Sequence, residues 1–184
     1  MRLAGDHLPD LAESLRLRVV YTDLDGTILG PGGSLFAAPD GGTTSRAAEA
    51  VAALHREGIA LVPTSGRAET TVREAARVLG GDGYVAELGG ITVRGDEVIH
   101  NRGAHRGTDT PYEAMVRSGA AGLLLEAFPG RLELHAPWTL HREYSMLFRG
   151  HVDRAAAVET LQRAGYAWLT LEDNGIIRRP FPGL

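Results

Sequence analysis

Two aspartates separated by a single residue are the strongest chemical feature of this sequence. Asp23 and Asp25 lie in the run Asp-Leu-Asp-Gly-Thr, which directly follows the apolar stretch at residues 18–22. Carboxylates this close repel each other unless a cation or a shared proton lies between them. Mg²⁺ prefers oxygen ligands and commonly joins one or two carboxylates to a phosphate. The pair therefore indicates a site at which Mg²⁺ holds a phosphate against a carboxylate.

The two carboxylates suit different chemical roles. Asp23, at the predicted strand end, is the candidate nucleophile that would form an aspartyl-phosphate. Asp25 is the candidate general acid, which would protonate the leaving oxygen and then activate water. The alternative is a polar turn after a strand, because Asp-X-Asp occurs often by chance. The position of the whole five-residue run at a strand end favours the chemical interpretation.

A second polar group, Thr64-Ser65-Gly66-Arg67, follows the next predicted strand and opens a predicted helix. The Ser65 hydroxyl and the Gly66 amide are the donors that a helix N-terminus offers to a phosphate. Alternatively, Ser65 is an ordinary helix cap. Arg67 either contacts substrate or is an exposed arginine of the first helical turn.

The elements that must position these residues alternate between strands and helices. Apolar runs predict buried strands at 18–22, 59–63 and 84–88, and periodic apolar residues predict helices at 43–57 and from residue 64 to 79. This β-α-β-α-β order predicts an α/β fold, a partial Rossmann-like core with a parallel sheet and helices on its faces. The predicted helix at 6–17 precedes this alternation. The Gly- and Pro-rich loop at 30–42 interrupts it without a regular element of its own.

The predicted pattern changes after residue 90, which suggests a core at residues 1–90 and an α+β module at 91–184. The module is predicted to contain an antiparallel sheet and two helices. Thr110-Pro111 with Glu113 is typical of a capped helix start, and Asp153 is the predicted cap of a helix ending at Gly165. Six strands are expected, in hairpin-like pairs, at 91–94, 98–101, 131–136, 143–149, 166–171 and 176–179.

The run at residues 23–27 resembles the first signature of the haloacid dehalogenase superfamily, and residues 64–67 resemble its second. The resemblance implies Asp23 as nucleophile and Asp25 as general acid and base. It also implies Mg²⁺ held by the Asp23 side chain and the Asp25 main-chain carbonyl, with Thr27 steadying the pair by hydrogen bonding.

The resemblance further implies that Thr27, Ser65, Gly66 and Arg67 form the phosphate-binding group. The module at 91–184 is similar to the large α/β cap of Cof-like phosphatases. Within it, Arg142-Glu143-Tyr144-Ser145 resembles a cap stretch of mannosyl-3-phosphoglycerate phosphatases. The implied activity is magnesium-dependent hydrolysis of a small phosphorylated metabolite, and we expect a sugar phosphate. A phosphomutase on the same scaffold stays open, because both reactions pass through an aspartyl-phosphate.

Two expected features of that family are missing from the sequence. The chain contains no lysine, and no Gly-Asp-X-X-X-Asp-like acidic loop follows the predicted cap. Glu172-Asp173-Asn174 is the one late acidic cluster, and its flanks favour a hairpin turn. The sequence therefore predicts a core sheet with an uncovered edge, and a chain that is C-terminally truncated and inactive or nearly so. The alternative function is a catalytically inactive remnant, whereas the missing lysine and the inserted module argue against a phospho-accepting signalling domain.

Composition narrows the remaining classes of function. The net charge of −4 gives no basic field for nucleic acid. No apolar run reaches the length of a membrane span, and without cysteine there is no disulfide framework. We therefore expect a cytoplasmic protein whose partner is a small phosphorylated molecule, with no nucleic-acid or membrane partner. The sequence does not determine its oligomeric state.

Overall fold

The computed structural model describes residues 17–173. The chain forms two compact units, with the boundary between Gly103 and Ala104. The predicted strand at residues 176–179 and nearly all of the predicted helix at 6–17 lie outside the described residues.

The first unit is built on a five-stranded sheet with the strand order β1-β2-β3-β4-β5. The strands β1, β2 and β3 are parallel, whereas β3, β4 and β5 pair antiparallel. The predicted α/β class is confirmed, with a mixed sheet in place of a purely parallel one. The strands are β1 (Val19–Asp23), β2 (Ala60–Thr64), β3 (Gly83–Ala86), β4 (Ile91–Arg94) and β5 (Glu97–His100).

Two helices connect the parallel strands, α1 (Arg46–Arg56) between β1 and β2 and α2 (Glu69–Leu79) between β2 and β3. Each buries one apolar stripe. Val51 and Leu54 are the buried residues of α1, and those of α2 follow the spacing of a helical face at Val72, Ala76 and Leu79. Burying an aliphatic side chain of this size contributes about 1.5–3 kcal/mol.

The expectation that the first strand is buried is wrong. Tyr21 is 67% exposed, and Val19 also belongs to the exposed apolar residues. The physical reason lies in the sheet order, because β1 is the outermost strand and pairs only with β2 within residues 17–173.

The hairpin predicted at residues 91–101 is present, but it extends the sheet of the first unit. β4 pairs with β3 along its whole length, and β5 extends the same sheet beyond β4. The contact is close, since a Cβ on Gly83 would lie 2.4 Å from the carbonyl oxygen of Val93. The first compact unit therefore ends at Gly103 and not at residue 90.

The second unit combines three helices with a two-stranded antiparallel sheet in its described part. The Thr110–Glu113 capping box and the Asp153 cap are both present, as predicted. The helix that Thr110 caps ends at Gly119, whose backbone is left-handed, and a second helix follows directly. The elements are α3 (Pro111–Ser118), α4 (Ala120–Ala127), β6 (Leu132–Leu134), β7 (Phe148–Gly150) and α5 (Arg154–Arg163).

The core of the second unit lies between its helices, where α4 and α5 bury Ala120, Leu124, Ala157 and Leu161. The strand predicted at 166–171 is wrong, because these residues form turns and irregular backbone. Three of its apolar side chains pack against the helical core, which explains the apolar pattern without a strand; they are Tyr166, Leu169 and Leu171. None of the helices within residues 17–173 has the length and apolar composition needed to span a bilayer.

Candidate active site

The two groups of polar residues, at 23–27 and 64–67, meet at the carboxyl ends of the parallel strands, which are called the sheet edge below. Asp23, the last residue of β1, lies directly opposite Thr64, the last residue of β2. Thr64 in turn pairs with Val85 of β3. Because the three strands are parallel, their carboxyl ends and the loops that follow them lie side by side. The loop containing Asp25 is therefore adjacent to the loop containing Ser65.

A buried leucine anchors the first loop. Leu24 has no exposed surface, whereas its neighbours Asp23 and Asp25 are both exposed. The backbone turns back on itself through two hydrogen bonds, from the Gly26 amide to the Leu29 carbonyl at 2.8 Å and from the Leu29 amide to the Leu24 carbonyl at 2.7 Å. Gly26 has φ +83°, a conformation that glycine reaches without steric cost. The turn thus holds two carboxylates at the sheet edge and exposes them to solvent.

Arg67 binds the second of these carboxylates through two hydrogen bonds from one edge of its guanidinium. Its Nε donates to Asp25 Oδ2 at 2.7 Å, and its Nη2 donates to Asp25 Oδ1 at 2.6 Å. Such a fork fixes the carboxylate in orientation as well as in position. The side chains are 29% and 45% exposed, so the pair contributes at most about 1 kcal/mol to folding. The sequence left two roles open for Arg67, and the structure shows a contact that neither of them included.

This ion pair changes the charge balance expected of the site. The chain contains no lysine, yet Arg67 places a cation next to Asp25. The loop after β1 also approaches this cation. A Cβ on Gly33, in the short 3-10 turn at Pro31–Gly33, would lie 3.3 Å from Arg67 Nη2. The Gly-rich loop at 30–42 therefore lies against the guanidinium.

The second loop does not begin a helix at Ser65, which corrects the prediction. Ser65 is buried, and its Oγ accepts a hydrogen bond from the Arg67 amide at 3.2 Å. The helix α2 begins only at Glu69, and its N-cap residue Ala68 has no side-chain capping bond. The hypothesis that Ser65 is a helix cap is therefore also wrong. Ser65 stabilises a separate turn, which places Gly66 and Arg67 ahead of the helix.

The turn after β3 was missed by sequence reasoning. The strand predicted to reach residue 88 ends at Ala86, and the next two residues donate their amides to the second loop. The Glu87 amide bonds to the Arg67 carbonyl at 3.1 Å, and the Leu88 amide bonds to the Ser65 carbonyl at 3.3 Å. Glu87 is also a charged residue that is only 3% exposed. The only sequence signal was the following Gly89-Gly90, which marks the end of a strand.

A buried tyrosine ties β3 to the start of α2. The Tyr84 hydroxyl donates to Glu69 Oε1 at 2.5 Å. Burial disfavours the phenolate and raises the pKa of Tyr84 to about 12, and the hydrogen bond and negative charge of Glu69 act in the same direction. The contact thus joins β3 and α2, and the turn after β3 is hydrogen-bonded to the loop before α2.

The oxygen-rich sheet edge offers the type of ligand that magnesium prefers, with two carboxylates as its acidic groups. No group of three or more histidine, aspartate or glutamate side chains suited to a metal occurs in residues 17–173. Asp23 and Asp25 remain as the oxygen donors, and Mg²⁺ commonly binds one or two carboxylates while keeping several waters. The structure shows no hydrogen bond from the Thr27 hydroxyl to either aspartate among the described residues. Glu172, of the late acidic cluster, instead lies 3.5 Å from Arg154 in the second unit.

One family model matches the part of the sequence that forms the sheet and the candidate site. Residues 20–108 match the family model for haloacid dehalogenase-like hydrolases. The matched segment carries the loops after β1, β2 and β3. No curated protein matches the chain at a significant level.

Solved structures of similar proteins are longer than this chain. The protein Thermoplasma acidophilum 0175 has a TM-score of 0.53 and 18% sequence identity to this chain. The match covers 82% of this chain and 58% of that protein, and it supports a shared fold. BT1666 of Bacteroides thetaiotaomicron, a phosphatase of the haloalkanoate enzyme superfamily, has a TM-score of 0.41 and 21% identity over 91% of this chain and 50% of its own. The sugar phosphatase BT4131, of subclass IIB, has a TM-score of 0.38 and 24% identity over 62% and 39%.

Proposed function

We propose that the protein is a magnesium-dependent phosphomonoesterase that hydrolyses a small phosphorylated metabolite, a sugar phosphate, through an aspartyl-phosphate. The observation that carries this proposal is the register of β1 and β2. It sets Asp23 opposite Thr64 and thereby brings the acidic loop next to the Ser65 loop, while Arg67 reaches across to Asp25. The residues proposed as nucleophile, acid and phosphate donors are thus close together at one sheet edge.

Phosphate binding is assigned to the loop after β2. The Ser65 hydroxyl and the Gly66 amide are the proposed donors to phosphate oxygens, with Thr27 as a third polar group from the acidic loop. Arg67 contributes positive charge close to the phosphate, although its fork on Asp25 makes it primarily a positioning residue. Its charge offsets the repulsion between a phosphate and the two aspartates.

Mg²⁺ is assigned to the Asp23 side chain and the Asp25 main-chain carbonyl. This division fits the structure, because both side-chain oxygens of Asp25 already accept hydrogen bonds from Arg67. When bound, the ion would neutralise charge on the phosphate during its transfer. The remaining ligands would be water and the phosphate itself.

The proposed reaction has two steps that use the same pair of aspartates. A carboxylate oxygen of Asp23 forms a bond to phosphorus while the bond to the leaving oxygen breaks. Asp25, in its protonated form and with one oxygen released from Arg67, supplies a proton to the leaving oxygen. Asp25, now ionised, takes a proton from a water molecule that attacks the aspartyl-phosphate. Inorganic phosphate leaves and the Asp23 carboxylate is restored.

The second unit, from Ala104 onward, is the proposed cap that selects the leaving group. The sequence predicted a cap beginning at residue 91, but the hairpin of β4 and β5 belongs to the core sheet. Support for this role comes from the resemblance of residues 142–145 to a cap stretch. A sugar phosphate is the substrate proposed from the same resemblance.

Phosphate release from a panel of sugar phosphates, with Mg²⁺ and with EDTA, tests the proposal. We expect magnesium-dependent turnover by the wild-type chain and none by Asp23→Asn. This differs from the inactivity predicted from the missing lysine, because Arg67 supplies a cation beside Asp25. Asp96→Asn, which changes an exposed aspartate in the β4–β5 turn, is the matched control and should retain full activity. Wild-type protein that releases no phosphate, or an Asp23→Asn variant that retains turnover, would contradict the proposal. The first outcome would support the non-catalytic alternative.

A further inference from the structure

The turn after β3 holds two ordinary residues in a conformation that favours glycine. Glu87 has φ +48° and Leu88 has φ +57°, ahead of Gly89 at φ +96°. Residues with a Cβ are disfavoured in this region, and a leucine there is rare because it lacks the local hydrogen bonds that help Asn or Asp. Backbone strain of this kind persists where the surrounding structure fixes it, and it is concentrated at functional sites.

The backbone of the turn explains the positive φ values but not the leucine. The amides of Glu87 and Leu88 point to the carbonyls of Arg67 and Ser65, and they thereby hold the proposed phosphate loop in place. Glycine or asparagine at position 88 would make the same amide hydrogen bond with less strain. The choice of leucine therefore requires a reason in its side chain.

Packing within the first unit does not provide that reason. The Leu88 residue is 79% exposed, so its side chain contributes little to the buried core. Its position is nevertheless specific, because a Cβ on Gly66 would lie 3.2 Å from Leu88 Cδ2. An apolar side chain is thus held against the glycine of the phosphate loop and remains open to solvent.

We propose that Leu88 is a specificity-determining residue that contacts the organic group of the phosphate ester. The proposal rests on the proposed function, because it requires a phosphate at Ser65 and Gly66. A ligand anchored there would place the atoms next to its phosphoryl group close to Leu88, and the contact would remove apolar surface of both partners from water. The ligand class is a phosphomonoester that carries a ring or another face rich in C–H groups beside the phosphate.

Binding of two phosphonates tests this inference without depending on turnover. Titration calorimetry with Mg²⁺ would compare phenylphosphonate, which has an apolar ring, with methylphosphonate, which lacks one. We expect the wild-type chain to bind phenylphosphonate about tenfold more tightly, as burial of a few apolar carbons would give. Leu88→Asn, which suits the left-handed backbone, should reduce this preference to about twofold or less. The affinity for methylphosphonate should stay the same.

The control is Val78→Gln, which removes a 72% exposed apolar side chain from α2 and should leave both affinities unchanged. Thermal unfolding of Leu88→Asn should show no loss of stability, so that a change in binding is not due to misfolding. An unchanged preference in Leu88→Asn, or an equal weakening of both ligands, would overturn the role of Leu88. A wild-type chain that binds both ligands equally would overturn Leu88 alone, whereas one that binds neither would contradict the phosphate site as well.

Discussion

The turns after β1 and β3 end two strands of the same sheet and reach left-handed backbone in different ways. In the first turn the residue with positive φ is Gly26, so the neighbouring positions can carry reactive side chains without backbone strain. In the second turn the conformation falls on Glu87 and Leu88, with glycine only at the next position. The first turn thus presents reactive side chains on a relaxed backbone. The second turn has a strained backbone, and its amides hold the Ser65 loop in place.

The comparison shows that the site depends both on residues with reactive side chains and on residues that position them through backbone amides. Aspartates with a glycine are uncommon enough to stand out in a sequence, and their chemistry follows from their type. The residues that hold the Ser65 loop act through backbone amides, which every residue except proline has. Their contribution becomes visible only when the fold places them.

The reactive turn predicts the largest effect of any substitution apart from loss of the nucleophile. Asp25→Asn removes the proposed general acid while keeping the size of the side chain. We expect kcat on a sugar phosphate to fall by about 10²–10⁴-fold. The loss should be much smaller on p-nitrophenyl phosphate, whose leaving group departs without a proton. Steady-state kinetics on both substrates checks this, and equal losses on the two would contradict the role of Asp25.

Arg67 links the two loops, and its substitution should have the next largest effect. Arg67→Leu should lower kcat about tenfold by releasing Asp25 from a fixed orientation. Arg67→Lys, which keeps the charge but loses the fork, should recover only part of this loss.

A double-mutant cycle distinguishes positioning of Asp25 from a separate role of Arg67. In an Asp25→Asn background, Arg67→Leu should cost little more activity, because both changes act on one group. Fully additive losses would show that Arg67 acts elsewhere in the site.

The difference between the turns predicts stability changes of opposite sign. Gly26→Ala forces a Cβ into φ +83° and should lower the free energy of unfolding by about 1–2 kcal/mol, although no atom lies within 4 Å of the added carbon. Leu88→Asn relieves strain and should raise it by up to about 1 kcal/mol. Urea unfolding of both variants measures the two changes. A loss of stability in Leu88→Asn would show that the fold requires the leucine.

The Tyr84–Glu69 hydrogen bond holds β3, the strand before the strained turn, against the start of α2. Its removal should change stability the least. Tyr84→Phe should cost about 1 kcal/mol at neutral pH. The pKa of Tyr84 is raised from 10.0 to about 12 in the folded protein, so the folded state keeps a proton that the unfolded state releases. The wild-type chain should therefore lose stability as the pH rises from about 10 to about 12, and this part of the loss should be absent from Tyr84→Phe. Urea unfolding across that pH range would detect the difference, and parallel pH profiles for the two proteins would contradict the assignment.

Much of the first unit was predictable because local pattern and tertiary structure agree there. The alternation of apolar strands with amphipathic helices gave the α/β class, and the strand ends placed Asp23 and Ser65 at one sheet edge. The capping box at Thr110 was also predictable, because its hydrogen bonds lie within four residues.

The remaining errors arise from contacts that are distant in sequence. Nothing local shows that β4 joins β3 and not a separate sheet, since a hairpin looks the same in either place. The exposure of Tyr21 depends on which strands lie beside β1. Ser65 has the residue type of a helix cap, but bonds from Glu87 and Leu88 fix its loop in another form. Arg67 pairs with an aspartate 42 positions away, which no local pattern encodes.

Trapping the proposed covalent intermediate is the most direct test of the central claim that Asp23 accepts the phosphoryl group. The chain would be incubated with acetyl phosphate and Mg²⁺, quenched in acid, and reduced with borohydride, which converts an aspartyl-phosphate to homoserine. Peptide mass spectrometry should then find homoserine at position 23 in the wild-type chain and not in Asp23→Asn. Phosphate release without any trapped adduct, or an adduct at another aspartate, would contradict the assignment of Asp23 as the nucleophile.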